Sequence, residues 1–207
     1  GPEKDLIQNI KKDLNASIGS GYEIRRVENV GPKVSAELLK GGLIAIAVSL
    51  GAMLFYIWIR FEWQFSIGAI LALFHDVLIT MGIFSLIGLE VNLSIVAAIL
   101  TIVGYSMNDT VVIFDRVREN LKKHIDLKIF DLTNLSINET LSRTIITSVT
   151  TLLALLSIFL FGGEILKGFS FAMILGVILG TYSSIFIANP ILVNLKVNYK
   201  TIVKEEN

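Results

Sequence analysis

The chain has 207 residues, 53% of them hydrophobic, and a mean hydropathy of +0.69, which excludes an ordinary soluble domain. Eighteen Lys and Arg balance eighteen Asp and Glu, so no net positive charge points to nucleic acid as a partner. Cysteine is absent, which excludes disulfide and thiol chemistry.

Residues 1–31 read as soluble. Leu6, Ile7, Ile10 and Leu14 recur at helical spacing among Lys and Asp, predicting an amphipathic helix. Gly19-Ser20-Gly21 predicts a turn, and residues 22–27 a strand with Tyr22 and Ile24 on one face. One helix and one strand cannot bury a core. This segment is therefore expected to be the C-terminal part of a larger α+β domain, or else a disordered lead-in. The chain starts at Gly1-Pro2 without an initiator Met, and an upstream portion containing a further helix is expected.

Residues 32–207 read as an all-α membrane domain. Pro32 suits the first turn of a helix, and crossing ~30 Å of hydrocarbon takes about 20 apolar residues. Spans are predicted at 41–59, 65–88, 92–114, 144–163 and 168–195, five transmembrane helices. Arg60-Phe61-Glu62-Trp63 makes a short loop with an interfacial Trp, and 88–92 a tight turn on the opposite side. Between the third and fourth spans, 115–143 is an amphipathic segment. The third helix is expected to run on through Arg116, Glu119 and Lys123. Ser136 with Glu139 three residues later predicts a capping box that starts the fourth helix. Ala172, Gly176, Gly180, Ser184 and Ala188 form a small-residue stripe spaced by four. Such a stripe serves close helix packing, within the chain or between subunits. Asn189-Pro190 is expected to kink or loosen the end of the last span.

Positive charge is lopsided. Arg60, then Arg116, Arg118, Lys122, Lys123, Lys128 and Arg143, then Lys196, Lys200 and Lys204 fall on one side, and only Lys167 in the opposite short loops. By the positive-inside rule the rich side is cytoplasmic, with the N-terminal segment outside and the C-terminus inside.

Asp109 stands inside the third span, after eighteen residues without a charge. An ionisable group in hydrocarbon needs a partner or a wet cavity, so it points to function. It shares a face with Thr101, Tyr105 and Val112; Asn108 adjoins it, and Ser106 and Thr110 lie within a turn. On the fourth helix Arg143, Thr147, Thr150, Thr151 and Ser157 make a second polar stripe, expected to face the first or a shared water path. Asp109 lies ~9 Å inside the marker Asp115, so an Asp109–Arg143 contact is compatible with the topology. That pair is either a fixed lock between two helices or a proton switch. Desolvation favours the neutral acid and a nearby Arg the carboxylate, so moving Arg143 would bind or release a proton. Asp76, a second acid inside a span, with Thr80 one turn on, is either another proton site or a packing hydrogen bond. His75 points ~100° away from it around the helix, and His124 lies in the cytoplasmic segment; neither has the companions a metal site needs. Phosphate-binding loops and catalytic triads are absent, so no enzymatic activity and no cofactor are expected. The available energy source is an ion gradient, about 2.3 kcal/mol per charge per 100 mV.

At these residues the chain resembles the SecF family of the bacterial protein-export machinery. The segments are GYSMNDTVVIFDRVREN (Gly104–Asn120), LSRTIITSVTTLLALL (Leu141–Leu156), FHDV (Phe74–Val77) and YEIRRVENVGPKVS (Tyr22–Ser35). The resemblance implies six transmembrane helices and one periplasmic domain, membership of the resistance-nodulation-division superfamily, and a place in the bacterial inner membrane. It implies SecD, the SecYEG channel, preprotein and other Sec accessory membrane proteins as partners. By motif, Asp109 and Arg143 match the family's proton-relay residues, and Asp76 its HD motif; Asn108 and Thr147 adjoin the relay as secondary or structural residues, and Gly176 and Gly180 serve packing. The implied function is proton-driven promotion of preprotein export. The rivals are a lipid or small-molecule exporter of the same superfamily and a non-transporting scaffold.

Overall fold

The computed structural model describes residues 2–19, 22, 32–88 and 93–203 and divides into two compact units, Gly1–Glu37 and Leu38–Asn207. In the first, α1 (Pro2–Ile18) is a helix, and the Tyr22 hydroxyl donates to the Lys11 carbonyl at 3.0 Å. Ile10 and Ile18 on α1 stay exposed. Apart from Tyr22, the strand expected at 22–27 lies outside the described residues.

The helices that follow are α2 (Pro32–Arg60), α3 (Trp63–Ile87), α4 (Leu93–Lys123), α5 (Ile129–Phe161), α6 (Glu164–Ser183), α7 (Asn189–Asn194) and α8 (Tyr199–Val203). No strand occurs among the described residues. Five stretches are long and apolar enough to cross a membrane: Lys40–Arg60, Trp63–Ile87, Ile95–Lys123, Ile129–Phe161 and Leu166–Asn194. α3 stops at Gly88, whose left-handed backbone (φ 68°, ψ 26°) turns its N–H back to the carbonyls of Phe84 and Ser85, a conformation glycine adopts without steric penalty. The rest of the turn expected at 88–92 lies outside the described residues.

Two expectations need correction. α4 does run on through Lys123, but α5 already begins at Ile129, so Ser136 is not a cap. It sits seven residues inside the helix, where its hydroxyl donates to the Leu132 carbonyl at 2.8 Å. The S-x-x-E pattern is satisfied by a neighbouring helix instead, because Asn120 of α4 reaches both Ser136 and Glu139. The second correction concerns the α5 face that is buried. It carries Thr133, Ser136, Thr140, Thr144 and Ser148, whereas Arg143, Thr150 and Ser157 are exposed and Thr147 and Thr151 lie at the border. Thr150, Thr151 and Ser157 return their hydroxyl hydrogens to carbonyls on their own helix, so they need no inward partner.

The last span is not one regular helix. Between α6 and α7 a π-helical turn, Ser184–Ala188, intervenes. Pro190 lacks an N–H and its ring crowds the preceding turn, and a widened turn takes up that mismatch. Asn189 Nδ2 donates to the Ser184 carbonyl at 2.7 Å, a side-chain bond that spans the π turn. The loosening expected at Asn189-Pro190 thus takes the form of a π turn.

Ala172, Gly176, Gly180, Ser184 and Ala188 are all buried. A Cβ on Gly176 would collide with the Ile102 side chain of α4, and one on Gly180 would stand 3.1 Å from the Ser106 Cα. The missing side chains therefore let α6 and α4 pack with their backbones close.

Two apolar clusters form the core. One gathers Phe61, Phe65, Phe114, Leu132, Leu192 and Ile202, with Phe65 and Phe114 edge to face at 5.1 Å. The other gathers Phe84, Ile95, Ile99, Ile102, Met173 and Val177. Along α3 and along the α6–α7 rod, buried polar residues lie between the members of the two clusters: Asp76 and Thr80 on one, Ser183 and Ser184 on the other. On α4, Ser106, Asp109 and Thr110 occupy the same interval before Ile113 and Phe114. The bundle has an apolar core at each end and a polar waist.

Candidate functional site

The waist holds two acids in unlike surroundings. Asp76 on α3 is fully buried. Its Oδ2 accepts hydrogen bonds from Ser106 Oγ of α4 and Ser183 Oγ of α6, both at 2.6 Å. Its Oδ1 lies 3.0 Å from His75 Nδ1, and its carbonyl accepts from Thr80 Oγ1 at 2.7 Å. Both serines can be so placed because Gly180, one turn before Ser183, lets α6 approach α4 at Ser106 itself. His75, set at an angle to Asp76 around the helix, is 24% exposed, and its ring lies 6.1 Å from that of Tyr182. One carboxylate thus joins three helices.

Asp109 sits one turn beyond Ser106 on α4 and is 4% exposed. Its Oδ2 is buried without a hydrogen-bond partner among the described residues, and so is the Tyr105 hydroxyl one turn earlier. Two orphaned polar atoms, one an acceptor and one a donor, thus lie on successive turns of one helix face. A buried carboxylate oxygen without a donor is unfavourable by about 1–3 kcal/mol or more. Asn108 beside it is exposed.

Arg143 of α5 acts electrostatically on Asp109, but no ion pair joins the two among the described residues. Arg143 instead lines a cleft of about 260 Å³ between α4 and α5, with Val112, Asp115, Arg116, Glu119, Glu139 and Thr140. Val112 follows Asp109 by one turn, so the inner wall of the cleft adjoins the layer of the acid. The cleft opens at the Arg/Lys-rich end of the bundle. Of the residues singled out in the sequence, the structure brings together Asp76 with Ser106, and Arg143 with the cleft beside Asp109. Thr147 is only partly buried, one turn further along α5 from Arg143.

Two clamps at the Arg/Lys-rich end escape a reading of the sequence. Glu62, which precedes α3, is 1% exposed and pairs through Oε1 with Arg118 Nη2 at 3.1 Å. Arg118 Nη1 donates to the Arg60 carbonyl at 3.2 Å, and Arg60 pairs with Asp115 at 2.9 Å. Both guanidinium groups lie over the Phe61 ring, at 5.1 and 5.4 Å from its centroid. The second clamp joins α4 to α5. Asn120 Nδ2 donates to Ser136 Oγ at 3.0 Å and to Glu139 Oε2 at 2.8 Å, and Arg116 Nε stands 3.3 Å from the same carboxylate. The available signal was polar residues recurring at helical spacing on both helices, but the spacing does not say which residue meets which.

Comparison with known proteins fits these features. The family model described as protein export membrane protein SecD/SecF, C-terminal, matches residues 10–198. Protein translocase subunit SecF of Rickettsia rickettsii is 50% identical over 206 residues, covering 97% of this chain and 67% of that one. The SecF of Cereibacter sphaeroides is 53% identical over 172 residues, covering 83% of this chain and 53% of that one. A crystal structure of SecDF, a translocon-associated membrane protein from Thermus thermophilus, superposes with a TM-score of 0.81 at 43% identity, over 91% of this chain. A SecDF structure in a super-membrane-facing form gives 0.78 at 38% identity, over 98%. The chain spans only 26% and 28% of those two chains.

Proposed function

Because the chain belongs to the SecD/SecF C-terminal family of protein-export membrane proteins, we propose that it is a SecF-type accessory subunit of the Sec translocon. In this reading it works with SecD and the SecYEG channel and uses the proton-motive force to promote preprotein export across the inner membrane. The Arg/Lys-rich end, with the C-terminus, faces the cytoplasm, and the N-terminal segment faces the periplasm. Asp109 carries the proton and Arg143 governs whether it is held.

The observation that carries this reading is the orphaned Oδ2 of Asp109, 4% exposed and adjoining a cleft that Arg143 lines. As a neutral acid, Asp109 is compatible with its apolar surroundings. As a carboxylate it needs a cation, and the Arg143 side chain is within electrostatic range and not otherwise engaged among the described residues. A proton arriving from the outer side neutralises Asp109 and frees Arg143. The return of Arg143 stabilises the carboxylate, and the proton leaves through the cleft to the cytoplasm. An apolar bundle with a single fixed ion pair would not need an unsatisfied acid, since satisfied or apolar alternatives are at least as stable.

The test is gradient-dependent preprotein export in vesicles holding the full complex, for Asp109→Asn and Arg143→Ala at matched complex levels. Each is expected to lower the gradient-dependent component by roughly tenfold or more, since proton transfer by a positioned side chain contributes that scale of effect. Normal export by both variants would overturn the reading and leave a scaffold role.

A further inference from the structure

Asp76 is not needed by the proton route just described, yet it is the most thoroughly bonded acid of the waist. Its Oδ2 takes hydrogens from two serines on two other helices, each at 2.6 Å, at the short end of O–H···O hydrogen bonds. Ser106, one of the two, precedes Asp109 by three residues, ~4.5 Å along the α4 axis. The Ser106 carbonyl in turn accepts from Thr110 Oγ1 at 3.2 Å, so the bonded turn of α4 brackets Asp109 on both sides. Ser183, the other, is the last residue of α6 before the π turn. Gly180 packs directly on Ser106, where an added Cβ would stand 3.0 Å from the Ser106 Cβ.

We propose that Asp76 is a positioning residue: by holding Ser106 of α4 and Ser183 of α6 on one carboxylate oxygen, it fixes the rotation and depth of α4 and so the place of Asp109 relative to Arg143. The proposal rests on the reading of Asp109 as the proton carrier. Without the acceptor, Ser106 and Ser183 would turn to carbonyls of their own helices, as Thr101 and Ser170 do. α4 would then be free to rotate against α3 and α6, carrying Asp109 nearer to or farther from the guanidinium. What matters for this role is the acceptor geometry, not a proton on Asp76.

The titratable and charged groups inside the spans around this layer are Tyr56 on α2, His75 and Asp76 on α3, Tyr105 and Asp109 on α4, Arg143 on α5 and Tyr182 on α6. Of these, Asp109 can be read directly. A hydrophobic carbodiimide modifies protonated carboxyls in apolar surroundings, and mass spectrometry of the peptide gives its extent at each pH. In the full complex, Asp76→Leu and the pair Ser106→Ala with Ser183→Ala should each move the pH midpoint of Asp109 modification by about one unit or more. They should also cut gradient-dependent export roughly tenfold. Asp76→Asn keeps an oxygen that accepts from both serines, and it should restore the native midpoint and most of the export. The proposal is overturned if Asp76→Asn behaves like Asp76→Leu, which would make the charge or a proton at Asp76 the active feature. An unmoved midpoint in Asp76→Leu would overturn it equally. Should Asp76→Leu fail to assemble with its partners, the serine pair decides by the same two readouts. If Asp109→Asn exports normally, the proton-carrier reading falls by itself, and the modification midpoint still decides whether Asp76 positions Asp109.

Discussion

Asp76 and Asp109 are both carboxylates buried in the waist of one bundle, and they are treated in opposite ways. Asp76 has a donor for each oxygen, drawn from α4, α6 and its own neighbour His75. Asp109 has an oxygen with none among the described residues, although it lies a single turn from the serine that satisfies Asp76. The difference teaches that burial of an acid does not by itself identify a working residue. A saturated acid is part of the packing, because every donor around it would have to find another acceptor on its loss. An intramembrane acid left with neither a donor on that oxygen nor an ion pair is a candidate for a charge that comes and goes. At the Arg/Lys-rich end Glu62 also has a buried oxygen, Oε2, without a partner among the described residues, but its Oε1 pairs with Arg118, whereas Arg143 lines the cleft with no ion pair among the described residues.

The contrast breaks if the two acids prove equally important for stability. Replacing Asp76 by Leu removes two hydrogen bonds that tie α3 to α4 and α6, and a third to His75 on its own helix. Interhelical bonds in membranes average ~0.6 kcal/mol each, because their donors find substitutes in the less ordered state. A loss of about 2 kcal/mol is therefore expected, read as a lowered thermal midpoint of the complex in detergent. Asp109→Leu removes an unsatisfied acid and is expected to leave the midpoint unchanged or raise it, while abolishing gradient-dependent export. Equal destabilisation by both substitutions would show that Asp109 has a fixed partner after all.

A smaller effect sharpens the comparison at the clamp between α4 and α5. Asn120→Ala removes the donor shared by Ser136 and Glu139. At this partly wet end water can replace it, so the expected loss is about 1 kcal/mol, measured in the same thermal assay. If Asn120→Ala costs as much as Asp76→Leu, the waist is not the main tie between the helices. This clamp also marks where the sequence ran out. The five membrane helices were legible because apolar runs of spanning length leave little choice, and Asp109 because a lone acid in such a run is conspicuous. The partners of Asp76 were not, since Ser106 lies 30 residues away and Ser183 107, and a serine in a membrane helix is unremarkable when it bonds its own backbone. Ser136 and Glu139 fitted a capping box because local spacing cannot distinguish a helix start from a position about two turns further in that a neighbouring helix supplies.

The smallest expected effect concerns the face of α5. That helix carries hydroxyls at 133, 136, 140, 142, 144, 147, 148, 150, 151 and 157, which is more than one face, so periodicity alone could assign the inward stripe to either of two neighbouring rows. The buried row is Thr140, Thr144 and Ser148, and Ser148 reaches Thr181 of α6 at 2.7 Å. Thr150 spends its hydroxyl on the Ile146 and Thr147 carbonyls and meets no other helix through it. Thr150→Val keeps the shape and gives up only that internal bond, so stability is expected to change by less than about 0.5 kcal/mol, with gradient-dependent export intact. Ser148→Ala should exceed it in the same assays, because it unties α5 from α6. Were Thr150→Val instead to lower export while leaving stability alone, the outer row of α5 would line the proton's water path, and the orphaned oxygen of Asp109 would be served from that side rather than from the cleft.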